Sequence, residues 1–160
     1  MKLTKKGEYA LRAMIELSLN YKKEPVLIRQ ISENERIPEK FLEQILLELK
    51  KAGLLQSRRG PGGGYSLISP PSEITLAQVI RIIDGALAPL GCVSRWAYIR
   101  CPEEKRCGLY NVMLDVRNAV SKILEGITFA DVCKKTKSRS LKKPHLDTIG
   151  NSFSPEGGEG

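Results

Sequence analysis

Three cysteines, Cys92, Cys101 and Cys107, lie nine and six residues apart. Thiolates ligate iron–sulfur clusters and zinc, and a free thiol is also an oxidation target. Arg95, Arg100, Lys105 and Arg106 stand among and beside them. Such cations lower a thiol's pKa and offset the negative charge of a thiolate-bound cluster. The segment is polar and lacks periodicity, unlike a stretch that would bury thiols in a core. It also lacks the close Cys-x-x-Cys pairs common in structural zinc sites. An iron–sulfur cluster of two or four irons is the favoured reading; zinc and plain thiol chemistry are the alternatives. Cys133 stands apart from the three and reads as a spectator thiol. His145, the single histidine, falls in a Gly/Ser/Pro-rich tail and is assigned no role.

A second constellation has a different chemistry. Arg58 and Arg59 precede Gly60-Pro61-Gly62-Gly63-Gly64. Two long cations beside a tip with almost no side chains suit a nucleic-acid backbone. Amides of Gly62 and Gly63 can approach phosphate, and an arginine can enter a narrow minor groove. A nucleotide-binding phosphate loop is excluded, because no Gly-Lys-Ser/Thr follows and no helix opens there. No nucleophile–base pair or tuned carboxylate pair is visible, so the chain does not read as an enzyme.

The elements that must position these groups follow from periodicity. Residues 3–20 place Leu3, Tyr9, Ala10, Ala13, Met14 and Leu17 on one helical face, with Thr4 as a cap. A short helix is predicted over 28–34. Pro38 opens a further helix, whose Leu42, Ile45, Leu46 and Leu49 fall at i, i+3, i+4 and i+7, and Gly53 closes it. Two short strands flank the glycine tip as a hairpin. A helix capped by Thr75 or Ser72 turns Leu76, Val79, Ile80 and Ile83 inward. Residues 86–107 form the cysteine loop. A long amphipathic helix runs over 109–125, lined on one side by Leu109, Val112, Met113, Val116, Val120, Ile123 and Leu124. Thr128 caps a last short helix reaching Cys133.

The order helix, short helix, turn, helix, hairpin over residues 1–70 predicts a mainly α winged helix-turn-helix. Residues 71–133 carry the cysteine loop and dimerisation helices, and residues 134–160 form a basic tail, expected to be disordered from about Thr136. In a helix-turn-helix the second helix enters the major groove N-terminal end first. Here that end presents Lys40, Glu43 and Gln44. Glu43 can accept from a cytosine amino group, and Gln44 can pair with adenine.

Charge points the same way. The formal net charge is +8. Residues 1–70 hold 13 basic against 8 acidic side chains, residues 71–133 hold 7 against 7, and residues 134–143 hold 6 against none. Concentrated positive charge releases counterions on binding nucleic acid. No apolar run reaches the roughly 18 residues of a membrane span. The charged start does not read as a signal peptide. The expectation is a cytoplasmic protein with double-stranded DNA as partner and no membrane partner. The long stripe over 109–124 exceeds what the remaining sequence can cover, so a second copy is expected to bury it as a homodimer.

Leu3-Thr4-Lys5-Lys6-Gly7-Glu8-Tyr9-Ala10, Phe41-Leu42-Glu43-Gln44 and Arg59-Gly60-Pro61-Gly62-Gly63-Gly64-Tyr65 resemble the Rrf-type winged-helix regulators of transcription, from residue 1 to about 133. The resemblance implies a homodimer with a long crossing helix on palindromic operators. It implies DNA contacts at Glu43, Gln44 and Arg59, with Lys40 at a position where the family varies. Repressors, cluster-binding regulators and a cofactor-free regulator governed by a protein partner or thiol oxidation all occur in this family. Cluster-binding members carry three cysteines ahead of the long helix, which matches Cys92, Cys101 and Cys107. The first interval is longer here than in one cluster-binding branch, and Tyr110 replaces that branch's histidine ligand. Another branch takes an acidic ligand at the position of Glu8, which makes Glu8 the candidate fourth ligand; a surface glutamate beside Lys5 and Lys6 is the alternative.

Overall fold

The structure, a computed structural model, describes residues 1–141, with side chains as far as Ser138. His145 and the rest of the tail from residue 142 onward lie outside the described residues. Six helices and one hairpin make up the fold: α1 (Lys5–Leu19), α2 (Ile28–Glu35), α3 (Glu39–Lys51), β1 (Leu55–Arg58), β2 (Gly64–Leu67), α4 (Leu76–Ile83), α5 (Gly108–Gly126) and α6 (Phe129–Leu141).

Local chemistry explains the helix ends. The Thr4 hydroxyl accepts from the Gly7 amide at 3.0 Å and so satisfies one of the free amides at the start of α1. Thr75, not Ser72, caps α4, and its pairing with Gln78 is reciprocal. Thr128 and Asp131 do the same for α6, and Thr128 holds the Asp131 carboxyl below its usual pKa by hydrogen bonding. Gly53 stops α3 at φ +81°, with its amide on the Lys50 carbonyl.

Leu42, Ile45, Leu46 and Leu49 of α3 are all fully buried, as their spacing requires. They meet Ala10, Ala13, Met14 and Leu17 from α1 and Ile31 from α2. Leu3 departs from expectation: it lies outside the helix and is exposed. The hairpin is antiparallel, in the register Leu55↔Leu67, Gln56↔Ser66, Ser57↔Tyr65 and Arg58↔Gly64. Val26, in the α1–α2 connection, adds a bridge to Tyr65 with bonds of 2.9 and 2.8 Å. The wing is therefore fixed to the body through β2.

The segments after the wing join the same core. A bridge between Thr75 and Thr128 holds the approaches to α4 and α6 together. It delivers Ile74 and Phe129 into the core with Met14 and Leu17, and Phe129 is fully buried. Asp84, at the end of α4, accepts from the Thr4 amide at 2.9 Å and from the Thr4 hydroxyl at 2.5 Å. A Cβ on Gly7 would lie 2.0 Å from Asp84 Oδ2, so glycine is required for this clamp to close. Helix α6 packs on α1 and continues to Leu141, through residues 136–141 that were expected to be disordered.

Helix α5 carries its apolar residues on one side, as its spacing requires. Within one chain, only part of that band is covered. Met113, Val120 and Leu124 are half-buried against their own chain, while Leu109, Val112, Val116 and Ile123 are exposed by 42–59%.

Candidate nucleic-acid interface and cysteine loop

Helix α3 is entered through a sharp turn. Arg36 adopts the left-handed conformation at φ +52°, and the Ile37 amide donates to the Ser32 carbonyl at 3.0 Å. The Ser32 hydroxyl donates to the Ile37 carbonyl at 2.6 Å. Pro38 is the residue before the helix rather than its first member, and no side chain caps α3. The first amides of α3 thus face outward, where the helix dipole favours an anion.

With the apolar face of α3 buried, the opposite face presents Lys40, Glu43 and Gln44, all exposed. Leu47 belongs to the same stripe and is 48% exposed. The sequence expectation leaves Leu47 out, although its spacing of four and three residues from Glu43 and Gln44 was an available signal. Phe41 is 53% exposed and meets Tyr9 edge-on, ring centroids 6.3 Å apart. That contact fixes the tip of α3 to α1. Lys50 donates to the Ser57 hydroxyl at 2.5 Å and joins the far end of α3 to β1.

Several charges on the body of this region are paired between elements or within a helix. Lys6 holds Glu48 at 2.6 Å between α1 and α3, Arg12 holds Glu35 at 3.1 Å between α1 and α2, and Arg29 holds Glu33 at 2.9 Å. Lys40, Glu43, Arg58 and Arg59 take part in no ion pair among the described residues. The recognition helix and wing therefore expose charges without internal partners.

The wing tip is closed by a bond from the Gly63 amide to the Gly60 carbonyl at 2.9 Å. Gly60 and Gly62 both have positive φ. A Cβ on Gly63 would stand 2.4 Å from the Arg58 carbonyl oxygen. The glycines are thus explained by the turn itself. Gly62 is exposed at the tip, but Gly63 is buried and its amide is taken up internally, so it is not a free donor to phosphate.

Cys92 sits in a 3₁₀ turn over Gly91–Val93, and Cys107 immediately precedes α5. A second 3₁₀ turn, Glu104–Arg106, separates Cys107 from Cys101, whose carbonyl accepts from the Glu104 amide at 3.2 Å. Tyr98 donates to Glu104 at 2.7 Å, which raises the phenol's pKa. All three thiols are free and partly exposed. Three accessible thiols among four cations are suitable soft donors for an iron–sulfur cluster. Among the described residues, however, no three potential ligands converge on one point. Glu8 is held by Lys5 at 2.8 Å with Arg12 at 3.8 Å, and the Lys5 hydrogen bond lowers its pKa. It is ionised, as a ligand must be, and the fold does not gather it with the cysteines within one chain. Cys133 is buried between α6 and α1, where desolvation raises its pKa; its Sγ lies 3.9 Å from the Ile15 carbonyl.

Among the described residues, no helix is long and apolar enough to cross a membrane. A family model described as "Rrf2: Iron-dependent Transcriptional regulator" matches residues 3–135. The chain is 36% identical over 136 residues to a putative HTH-type transcriptional regulator, rrf2-like, of Rhodobacter capsulatus, covering 81% of this chain and 91% of that protein. It is 38% identical over 134 residues to the HTH-type transcriptional regulator IscR of Vibrio atlanticus, covering 84% of this chain and 76% of that one. Two solved structures share the fold. CymR, the global cysteine regulator of B. subtilis, has a TM-score of 0.70 at 31% identity, covering 84% of this chain and 98% of its own. IscR of T. potens has a TM-score of 0.69 at 28% identity, covering 91% and 96%. The family match spans the wing, the cysteine loop and α5 together: the chain belongs to the Rrf2 family of winged helix-turn-helix DNA-binding transcription regulators.

Proposed function

We propose that the chain works as a homodimer on palindromic operators, with α3 in the major groove and the wing against the flanking backbone and minor groove. The observation that carries this reading is the exposed set Lys40, Glu43, Gln44, Arg58 and Arg59 on α3 and the wing, whose charged members take part in no ion pair among the described residues. Lys40 and Arg58 meet phosphate, Glu43 and Gln44 read base edges, Leu47 offers an apolar contact to a thymine methyl, and Arg59 enters the minor groove. Gly62 brings the exposed tip close to the backbone. The dimer is supported by α5. Leu109, Val112, Val116, Ala119 and Ile123 alternate three and four residues apart, the spacing of a coiled-coil seam, and all are exposed. Two copies joined there place two α3 helices on two half-sites.

The cysteine loop is the control element in this reading. Cys92, Cys101 and Cys107 would hold an iron–sulfur cluster, with Glu8 of a second copy as the fourth ligand. When bound, such a group supplies a centre whose charge and ligation change with redox state. The chain's own residues then act locally: the four cations would offset the negative charge of the bound group, and Cys107 links the loop directly to α5. A second reading has its own support. The thiols do not converge among the described residues, and CymR, named as a cysteine regulator, shares the fold. In that case thiol oxidation or a protein partner governs the loop.

Purification without oxygen under cluster-loading conditions decides between them. The first reading expects a coloured protein with iron and acid-labile sulfide, and operator affinity that changes when the cluster is removed. A colourless, iron-free protein favours the second reading. Equal operator affinity of loaded and stripped protein overturns control by a cluster.

A further inference from the structure

A cavity of about 320 Å³ lies between α4, the first turn of the cysteine loop and α5. Its most unusual wall is Arg117. This arginine is 7% exposed, yet it forms no ion pair among the described residues, and its Nε is buried without a hydrogen-bond partner. Buried guanidinium groups are normally paired, because desolvating a charge is costly. Arg81 stands on the opposite wall. One of its terminal nitrogens is paired with Glu125, its guanidinium packs 5.2 Å from the Trp96 ring centroid, and its buried Nε also lacks a partner. Arg95 is the third cation of the lining. Three guanidinium groups therefore face one carboxylate, while Leu87 and Ala88 supply an apolar wall.

We propose that this cavity is a binding site for a small organic oxyanion, a carboxylate or phosphate ester with a short apolar body, held by Arg117 and Arg95. The volume suits such a ligand, at the lower end of the range for small-molecule pockets. A planar oxyanion can accept two parallel bonds from a guanidinium and so supplies the missing partner. A carboxylate from a second copy is a poorer candidate. Arg117 lies on the side of α5 that faces its own chain, with Met113, Val120 and Leu124, and away from the exposed Leu109–Ile123 seam. The occupant would bear on both halves of the molecule. Helix α4 packs on α1 and α3, and the Ser94 hydroxyl, two residues from Cys92, accepts from the Ala97 amide at 2.9 Å and so shapes the loop at the cavity. The proposal goes beyond DNA recognition and does not rest on the cluster.

Trp96 is the single tryptophan and lines the cavity, so its fluorescence reports occupancy directly. The full chain is titrated at constant ionic strength with benzoate, with benzamide as its neutral analogue, and with inorganic phosphate. The expected result is a saturable change with benzoate and none with benzamide. Arg117→Gln weakens it at least about tenfold, and Arg117→Lys restores part of it. If Arg117→Gln fails to fold by circular dichroism, Arg95→Gln, at an exposed position, carries the test with a severalfold weakening. No saturation by any probe up to about 20 mM, well beyond a useful affinity, overturns the proposal. So does a benzoate response unchanged in Arg117→Gln and Arg95→Gln. Saturation by phosphate alone overturns the organic ligand. A loss of dimer in Arg117→Gln with no change in anion binding assigns Arg117 to the second copy and overturns the site.

Discussion

The recognition helices and the cysteine loop with α5 are built to different degrees of completeness. Within one chain, the apolar faces of α1 and α3 are covered entirely: Met14, Leu17, Leu42, Ile45, Leu46 and Leu49 have at most 1% exposure. In the second region Trp96 is 74% exposed, Ile99 69%, and Leu109 and Ile123 59% each. Exposed apolar area on this scale marks an interaction surface. The same region holds Arg117, whose buried Nε has no hydrogen-bond partner among the described residues, and three partly exposed free thiols. The contrast teaches that the core of the recognition region is closed by its own residues, whereas the other region leaves open the surfaces on which the proposed second copy, cofactor and anion would act.

The strongest way to break that contrast is to charge the seam. Val112→Asp with Val116→Asp places two carboxylates on the exposed stripe of α5, leaving the recognition core untouched. The variant is expected to sediment as a monomer and to lose on the order of a hundredfold in affinity for a full palindrome, because two half-sites no longer act together. Half-site binding should survive. A variant that stays dimeric at micromolar concentration removes α5 as the dimer seam.

Next in size is the wing. Arg59→Ala removes one unpaired cation and no internal contact. Operator affinity is expected to fall about tenfold, and the slope of log affinity against log salt to drop by about 1. Mobility-shift titrations at several salt concentrations measure both. An unchanged slope means that Arg59 does not meet the backbone or minor groove. Glu43→Ala should be smaller in affinity and larger in selectivity, with a loss of roughly 1 kcal/mol of discrimination at one base pair. Selection from randomised half-sites reads this, and an unaltered base preference withdraws Glu43 from base reading.

What was legible in the sequence divides along the same line. Periodic and local signals survived: the α3 face, the Thr4, Thr75 and Thr128 caps, the Gly53 stop and the Arg58–Tyr65 hairpin. Each depends on residues within a few positions of one another. The Thr4–Asp84 clamp spans 80 residues and the Thr75–Thr128 bridge pairs two loops, so neither leaves a periodic trace. Phe129 reads as one apolar residue in a short helix until that bridge places it in the core. The α5 stripe does lie on one side, but a broad apolar band at helical spacing does not distinguish the part its own chain covers from the adjacent part left exposed. Arg117 was invisible for the complementary reason: a lone arginine on an amphipathic helix reads as solvated, and only packing shows it buried.

The narrowest test sharpens the contrast at the level of single thiols. Alkylation requires the thiolate and access to it. Cys92, Cys101 and Cys107 are partly exposed, whereas Cys133 is buried against α1 and its pKa is raised by desolvation. The sign follows directly: a raised pKa keeps Cys133 protonated at a pH where an ordinary cysteine has begun to ionise, so burial and protonation both slow it. Mass spectrometry of iodoacetamide-treated, metal-free protein at pH of about 8 should show the three loop cysteines modified about tenfold or more faster than Cys133. Unfolding in denaturant should abolish the difference. If Cys133 reacts as fast as the loop thiols in the folded protein, α6 does not remain docked on α1, and the claim that the recognition region is closed by its own chain fails at that helix.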